Sequence, residues 1–165
     1  MTELVDIVDD DDRVLDVVPR ARMRAENLRH RAVFVLVEST RGEVLIHRRS
    51  DEKDVWPSWW DLAVGGVVAS GEGYDEAAVR EVGEELGIEG EPERLGGGRF
   101  EDADVRLVAA VYRLVHDGPF RFTDGEVVEA GFVGLSELEL RLRRGPFVPD
   151  SVALVLPWIG LTGHG

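Results

Sequence analysis

The run "GGVVASGEGYDEAAVREVGEELGIEG", residues 65–90, limits what this chain can become more than any other stretch. Two glycine clusters precede a helix-forming segment at about 75–86, where Val79, Val82 and Leu86 recur at helical spacing as a narrow apolar stripe. Glu81, Glu84 and Glu85 stand at i, i+3 and i+4, so their carboxylates converge on another face. Like charges at that spacing cost roughly 0.2–0.5 kcal/mol per pair. Gly83, in the helix interior, adds about 1 kcal/mol relative to alanine. Such penalties side by side suggest a cation on that face, and hard divalent ions such as Mg²⁺ take oxygen ligands. On these residues alone a solvated surface helix is the commoner outcome, with a metal platform as the alternative.

At 165 residues, 44% of them hydrophobic and 32% charged, the chain suits one soluble globular domain over 1–165. It has no apolar run of membrane-spanning length, and the start "MTELVDIVDDDD" is acidic where a signal peptide would be basic and then apolar. The absence of cysteine excludes disulfides, thiolate metal sites and a cysteine nucleophile, and the expected compartment is the cytoplasm. A net charge of −14 argues against general nucleic-acid binding. A small polyanion can still be held where metals or local cations reverse the sign. "HRRSDEK" supplies such a cluster in Arg48, Arg49 and Lys53, the last being the only lysine.

Along the chain, "ELVDIV" and "RVLDVV" predict an N-terminal hairpin within about 1–20. "AVFVLVE" reads as a strand buried on both faces, expected to pair with "EVLIHRR" across the turn "STRG". "GEPERLGGG" reads as a connection, "RFEDADVRLVAAVYRLVH" as a bent or broken pair of strands, and "VVEAGFVGL" as another strand. "SELELRLRRG" predicts a short helix capped by Ser136, and 149–159 a terminal apolar helix kinked or shortened at Pro157. Strands interleaved with a few helices imply an α/β or α+β sandwich around a mixed sheet.

Wider spacing identifies the platform. Gly66, Glu72 after five residues, and seven residues later Arg80-Glu81-Val82-Gly83-Glu84-Glu85-Leu86-Gly87-Ile88 reproduce the pattern G-x5-E-x7-R-E-U-x-E-E-x-G-U, with U a bulky apolar residue. A chance match in one window is on the order of 10⁻⁷ or less. Over 66–88 the chain thus resembles the Nudix hydrolases, which implies an α/β/α sandwich and cleavage of a diphosphate linkage in a nucleoside diphosphate derivative. By that resemblance Glu81, Glu84 and Glu85 are ligands of Mg²⁺ or Mn²⁺. The Gly66 carbonyl and Glu72 join or support them, and Arg80 holds the glutamates by ion pairing. The chemistry is coherent, because metals neutralise a diphosphate and activate water.

A second resemblance covers "RRSDEKDVWPSWWDLAVGGVVASGE", which is similar to the segment before the box in type 1 isopentenyl diphosphate isomerases. It implies that Arg49 and Lys53 hold the substrate diphosphate. The isomerase pattern then breaks: its Cys-Gly-His is Gly65-Gly66-Val67 here, and its later acidic pair falls near Asp102 and Asp104. The expectation is a hydrolase on an isomerase-like frame, with isomerase activity or a non-catalytic nucleotide-binding module as alternatives. His30 is expected to be packed or hydrogen-bonded rather than functional. Trp56, Trp59 and Trp60 suit either stacking on a base or packing of a long loop, with one of them exposed. Glu126, with Glu129 nearby, is a candidate additional acid. The expected partner is a small-molecule diphosphate, with no nucleic acid and no membrane, and a homodimer stays open.

Overall fold

The strand His30–Glu38 (β3) organises the molecule, because every position in it except Arg31 is buried. The computed structural model describes residues 2–122, 125 and 127–162, with side chains to 159, so Glu126 lies outside the described residues. Successive β3 side chains point to opposite faces. Ala32, Phe34 and Leu36 enter one core with Val155 and Ile159 of the last helix. Val33, Val35 and Val37 enter a second core with Ala77, Ala78, Val82 and Leu86. A mixed sheet between two helical layers results, as expected.

Around β3 the chain runs Leu4–Val8 (β1), Val14–Pro19 (β2), Arg20–Ala25 (α1), Val44–Arg49 (β4), Trp60–Asp61 (β5), Val64–Val67 (β6) and Tyr74–Leu86 (α2). Glu93–Glu101 (β7), Arg106–Val115 (β8), Val127–Val133 (β9), Leu135–Arg144 (α3) and Pro149–Thr162 (α4) follow. One edge of β3 pairs along its whole length with β8 in parallel, from His30↔Leu107 to Glu38↔Val115. The other edge is shared in turn by β1 at His30, β6 at Ala32–Val35 and β4 at Glu38. No described helix is long and apolar enough to cross a membrane.

Several expectations need correction. β3 and β4 pair across the turn as expected, but only at Glu38↔Val44: β6 takes the β3 edge at Ala32–Val35, and β4 pairs along its length with β9. "GEPERLGGG" is not all connection, since β7 starts at Glu93 and includes its glycines. A Cβ at Gly96 would stand 2.8 Å from the Trp158 ring, and one at Gly98 2.8 Å from Leu154 Cδ2, so the bare glycines let α4 lie close on the strand. Ser136 does not cap α3, which starts at Leu135 with Gly134 before it. Pro157 sits inside α4 without ending it; Val155 and Ile159, on either side, are both buried in the core.

α2 also turns differently from its apolar stripe. Val79 is 45% exposed, and the buried face is Ala77, Ala78, Glu81, Val82, Glu85 and Leu86. Two adjacent i, i+4 rows thus point inwards, one apolar and one carrying carboxylates. Small alanines at the start of both rows let the helix approach the sheet closely enough to take the glutamates with it.

Candidate active site

Gly65 and Gly66 lie in β6 where it pairs with β3, opposite Phe34 and Val33. A Cβ at Gly65 would fall 1.9 Å from the Val33 carbonyl oxygen, and one at Gly66 would fall 2.6 Å from Glu81 Oε1. At Gly65 the obstacle is backbone, so no other residue fits; at Gly66 a side chain would displace the Glu81 carboxylate, so the glycines keep the strand edge and the glutamate helix in one locus. Glu81 and Glu85 are buried, while the Glu84 side chain is 54% exposed.

Arg80 gathers this locus. Its Nε and Nη2 donate to Glu72 Oε2 and Oε1 at 2.7 and 2.9 Å, Nη1 to Glu81 Oε1 at 2.7 Å and Glu84 Oε2 at 3.2 Å, and Nη2 to the Val67 carbonyl at 3.2 Å. The Arg80 hydrogen bonds hold the Glu72 carboxyl below its ordinary pKa, against a smaller opposing effect of burial. Glu72 Oε1 also accepts the Ala69 N–H at 3.1 Å, which closes the loop before α2. Among the described residues no three carboxylate or imidazole groups stand around one point at ligating distance; the Arg80 guanidinium bridges Glu81 and Glu84 instead. The donor set still suits a hard divalent cation: three carboxylates on one helix, beside a glycine carbonyl in a cradle that a Cβ would fill.

Gly65 and Gly66 also line a cavity of about 70 Å³ whose walls include Arg20, Arg24, His30, Arg49, Lys53, Asp54, Asp61 and Asp150. Arg49 reaches it from the end of β4, with Nη2 donating to the Val55 carbonyl at 2.9 Å and Nη1 3.7 Å from Asp61 Oδ2. Its Nε is buried without a hydrogen-bond partner among the described residues. Arg24 donates to Asp54 at 3.1 Å, and Arg20 lies 3.8 Å from the same carboxylate. His30 is buried, with Nδ1 2.9 Å from the Leu28 carbonyl, and burial pushes its pKa down to about 4. Asp150, in the first turn of α4, is pushed up to about 7 by burial and then by the nearby Asp61 charge, against the Ser151 N–H, Arg49 and Arg24.

The remaining candidates divide. Asp102 Oδ1 accepts the N–H groups of Asp104 and Val105 at 2.8 Å, so that acidic pair shapes the β7–β8 turn. Glu129 lies within β9, 3.5 Å from Arg48 Nε. None of Trp56, Trp59 and Trp60 is fully exposed, contrary to expectation. Trp56 stacks on Trp59 with centroids 6.4 Å apart, and Trp60 lies under the Arg141 guanidinium at 5.1 Å. Sequence reasoning missed Arg20, Arg24, Asp61 and Asp150 as members of the cavity. The only local signal was the arginine richness of "RARMRAENLRH".

This fold, with an arginine-clamped glutamate helix against a glycine strand, defines a class, and residues 28–152 match the family model described as "NUDIX domain". The chain belongs to the Nudix hydrolase family. It is 42% identical to an uncharacterized Nudix hydrolase of Streptomyces coelicolor over 99% of this chain and 93% of the relative. With the uncharacterized Nudix hydrolase YfcD of Escherichia coli it shares 39% identity, over 96% of this chain and 87% of that protein. Among solved structures it resembles DR0079 of Deinococcus radiodurans, with TM-score 0.72, 29% identity and coverage of 87% of this chain and 90% of that one. The NUDIX domain of Shewanella oneidensis NrtR, solved with ADP ribose, shares the fold at TM-score 0.59 and 16% identity, covering 74% of this chain and 81% of that one.

Proposed function

We propose that the chain, acting as a single Nudix unit in the cytoplasm, is a divalent-metal-dependent hydrolase that cleaves a diphosphate linkage in a nucleoside diphosphate derivative. The observation that carries this reading is the position of Gly66: it lies against the Glu81 carboxylate and also lines the cavity that holds Arg20, Arg24, Arg49 and Lys53. A diphosphate at Gly66 would meet both carboxylates that suit Mg²⁺ or Mn²⁺ and guanidinium groups. Glu81, Glu84 and Glu85 would hold the ion, with the Gly66 carbonyl and Glu72 beside them. A bound divalent cation would supply charge neutralisation and an activated water.

The chain's own residues do the rest. Arg80 fixes the Glu72 loop against α2, so the carboxylates keep their positions without the substrate. Arg49 and Lys53 line the cavity and counter the phosphate charge, which a protein of net charge −14 repels at long range. The nucleoside is supported by the fold's company, since a domain of this fold binds ADP ribose. Isomerisation of isopentenyl diphosphate is disfavoured, because Gly65 has no side chain to move a proton and no space for one.

The test is a panel of nucleotide sugars, dinucleotides, nucleoside triphosphates, coenzyme A and non-nucleoside diphosphates, each with Mg²⁺ or Mn²⁺, read by phosphate release. Turnover that needs the metal and is lost in Glu84→Gln is the expected result. No metal-dependent turnover across the panel would overturn the reading.

A further inference from the structure

The last helix is apolar on every side. Its polar residues are Asp150, Ser151 and Thr162, and the first two are buried. Val155 and Ile159 face the core, while Val152, Ala153, Leu156 and Pro157 form an outer row, half-buried or exposed. A helix that is apolar all round is normally covered all round, and at 14 residues α4 is too short to span a bilayer. With α3 it forms a groove lined by Leu142, Phe147, Pro149, Val152, Ala153 and Leu156. Phe147 also lines a second groove beside α3, with Trp60, Leu140 and Arg144.

α3 carries its charges in order. Glu137 and Glu139 stand in its first half and Arg141, Arg143 and Arg144 in its last, with Leu140 between them, 48% exposed. Arg141 pairs with Glu137 at 3.2 Å, whereas Glu139, Arg143 and Arg144 have no ion-pair partner among the described residues. Acid first and base last suits the dipole of any exposed helix. The dipole does not account for a large apolar side chain exposed where the sign changes.

We propose that α3 and α4 form the contact surface for a second copy of this chain, in a twofold dimer with antiparallel α3 helices and its axis at Leu140. A twofold contact uses the same patch on both copies, so the patch must complement itself. About an axis at Leu140 the halves of α3 exchange. Glu137 of one copy meets Arg143 of the other, Glu139 meets Arg141, and Leu140 meets its own counterpart. The groove beside α4 is then covered by helix rather than by water. Three arginines against two glutamates spare α3 the net charge of −14 that makes two copies repel. At physiological salt that repulsion is screened beyond about 8 Å. The same net charge opposes docking on an anionic membrane surface. α4 packs on the core of Ala32, Phe34 and Leu36, and α2 on the opposite one, so the dimer leaves the glutamate helix uncovered. The inference is independent of the hydrolase reading.

Sedimentation equilibrium of the full chain should show reversible dimerisation between micromolar and millimolar concentration. Glu137→Arg with Glu139→Arg makes the middle of α3 wholly basic, and Arg141→Glu with Arg143→Glu makes it wholly acidic. Each variant alone should self-associate at least about tenfold more weakly, and an equal mixture should recover wild-type affinity. The chain has no cysteine, so Leu140→Cys supplies a single probe at the axis. Oxidised with copper phenanthroline, it should form a disulfide-linked dimer at least about tenfold faster than Ser136→Cys, which the axis sets about 12 Å along the helix from its counterpart. A chain that stays monomeric at millimolar concentration would overturn the contact. So would equal crosslinking at the two positions, or no recovery from charge variants that melt like wild type. Monomer that instead sediments with phosphatidylglycerol vesicles would replace the second copy with a lipid surface.

Discussion

Arg80 clasps Glu72 at two points, Nε to Oε2 at 2.7 Å and Nη2 to Oε1 at 2.9 Å, and so ties the loop before α2 to the middle of that helix. Lysine has no fork and cannot reproduce this geometry. Arg80→Lys should therefore lose roughly 1.5–3 kcal/mol of stability, read as a lower melting temperature, together with most activity. An unchanged melting temperature would show that the clasp does not hold the loop.

Glu84 and Glu85 differ in burial, and the difference sorts their variants. Glu84 is half exposed, so Glu84→Gln should leave the melting temperature nearly unchanged or slightly higher as like-charge repulsion falls. Its kcat should nevertheless drop by roughly a hundredfold or more, as when a group acting on transition-state charge is removed. Wild-type turnover by this variant at saturating Mg²⁺ would remove Glu84 from the metal platform.

Gly65→Cys tests the isomerase alternative directly. The new Cβ would fall 1.9 Å from the Val33 carbonyl oxygen, so β6 would have to leave β3. The variant should be strongly destabilised in denaturant unfolding and should form no dimethylallyl diphosphate from isopentenyl diphosphate. Formation of that isomer by wild type or variant would restore the isomerase reading.

Arg49→Ala should lower kcat/KM by roughly ten- to a hundredfold on the best substrate, the value of one or more charge-assisted hydrogen bonds. Metal affinity measured without substrate should barely change. Wild-type kcat/KM in this variant would leave the guanidinium a packing role against Val55 and Asp61.

His30 predicts an acid limit. Its pKa falls from an ordinary 6.5 to about 4 on folding, chiefly through burial, so the unfolded chain binds more protons between those values. The contribution is fully present above pH 6.5 and is lost as pH falls towards about 4. Urea unfolding of wild type should show stability declining over that window, and His30→Gln should flatten the slope.

Local spacing in the sequence was enough for the mixed sheet, the N-terminal hairpin and the box helix, because period-two and period-3.6 patterns act between near neighbours. It also put Glu81, Glu84 and Glu85 on one helix beside a glycine strand. Which way that helix turns was not local. Val79 completes the apolar stripe on paper, yet packing of Ala77 and Ala78 against the sheet turns Glu81 and Glu85 inwards and leaves Val79 exposed. The splayed β3–β4 pair has the same origin, since competition by β6 for the β3 edge involves residues about thirty positions away. The cavity is the extreme case. Arg20, Arg49, Asp61 and Asp150 share no spacing in the chain, and they meet only where α1, β4, β5 and the start of α4 converge beside Gly66. Sequence alone determined which residues could carry charge and metal-binding oxygen. Tertiary packing decided which of them face one another, because burial is settled between elements that lie far apart along the chain.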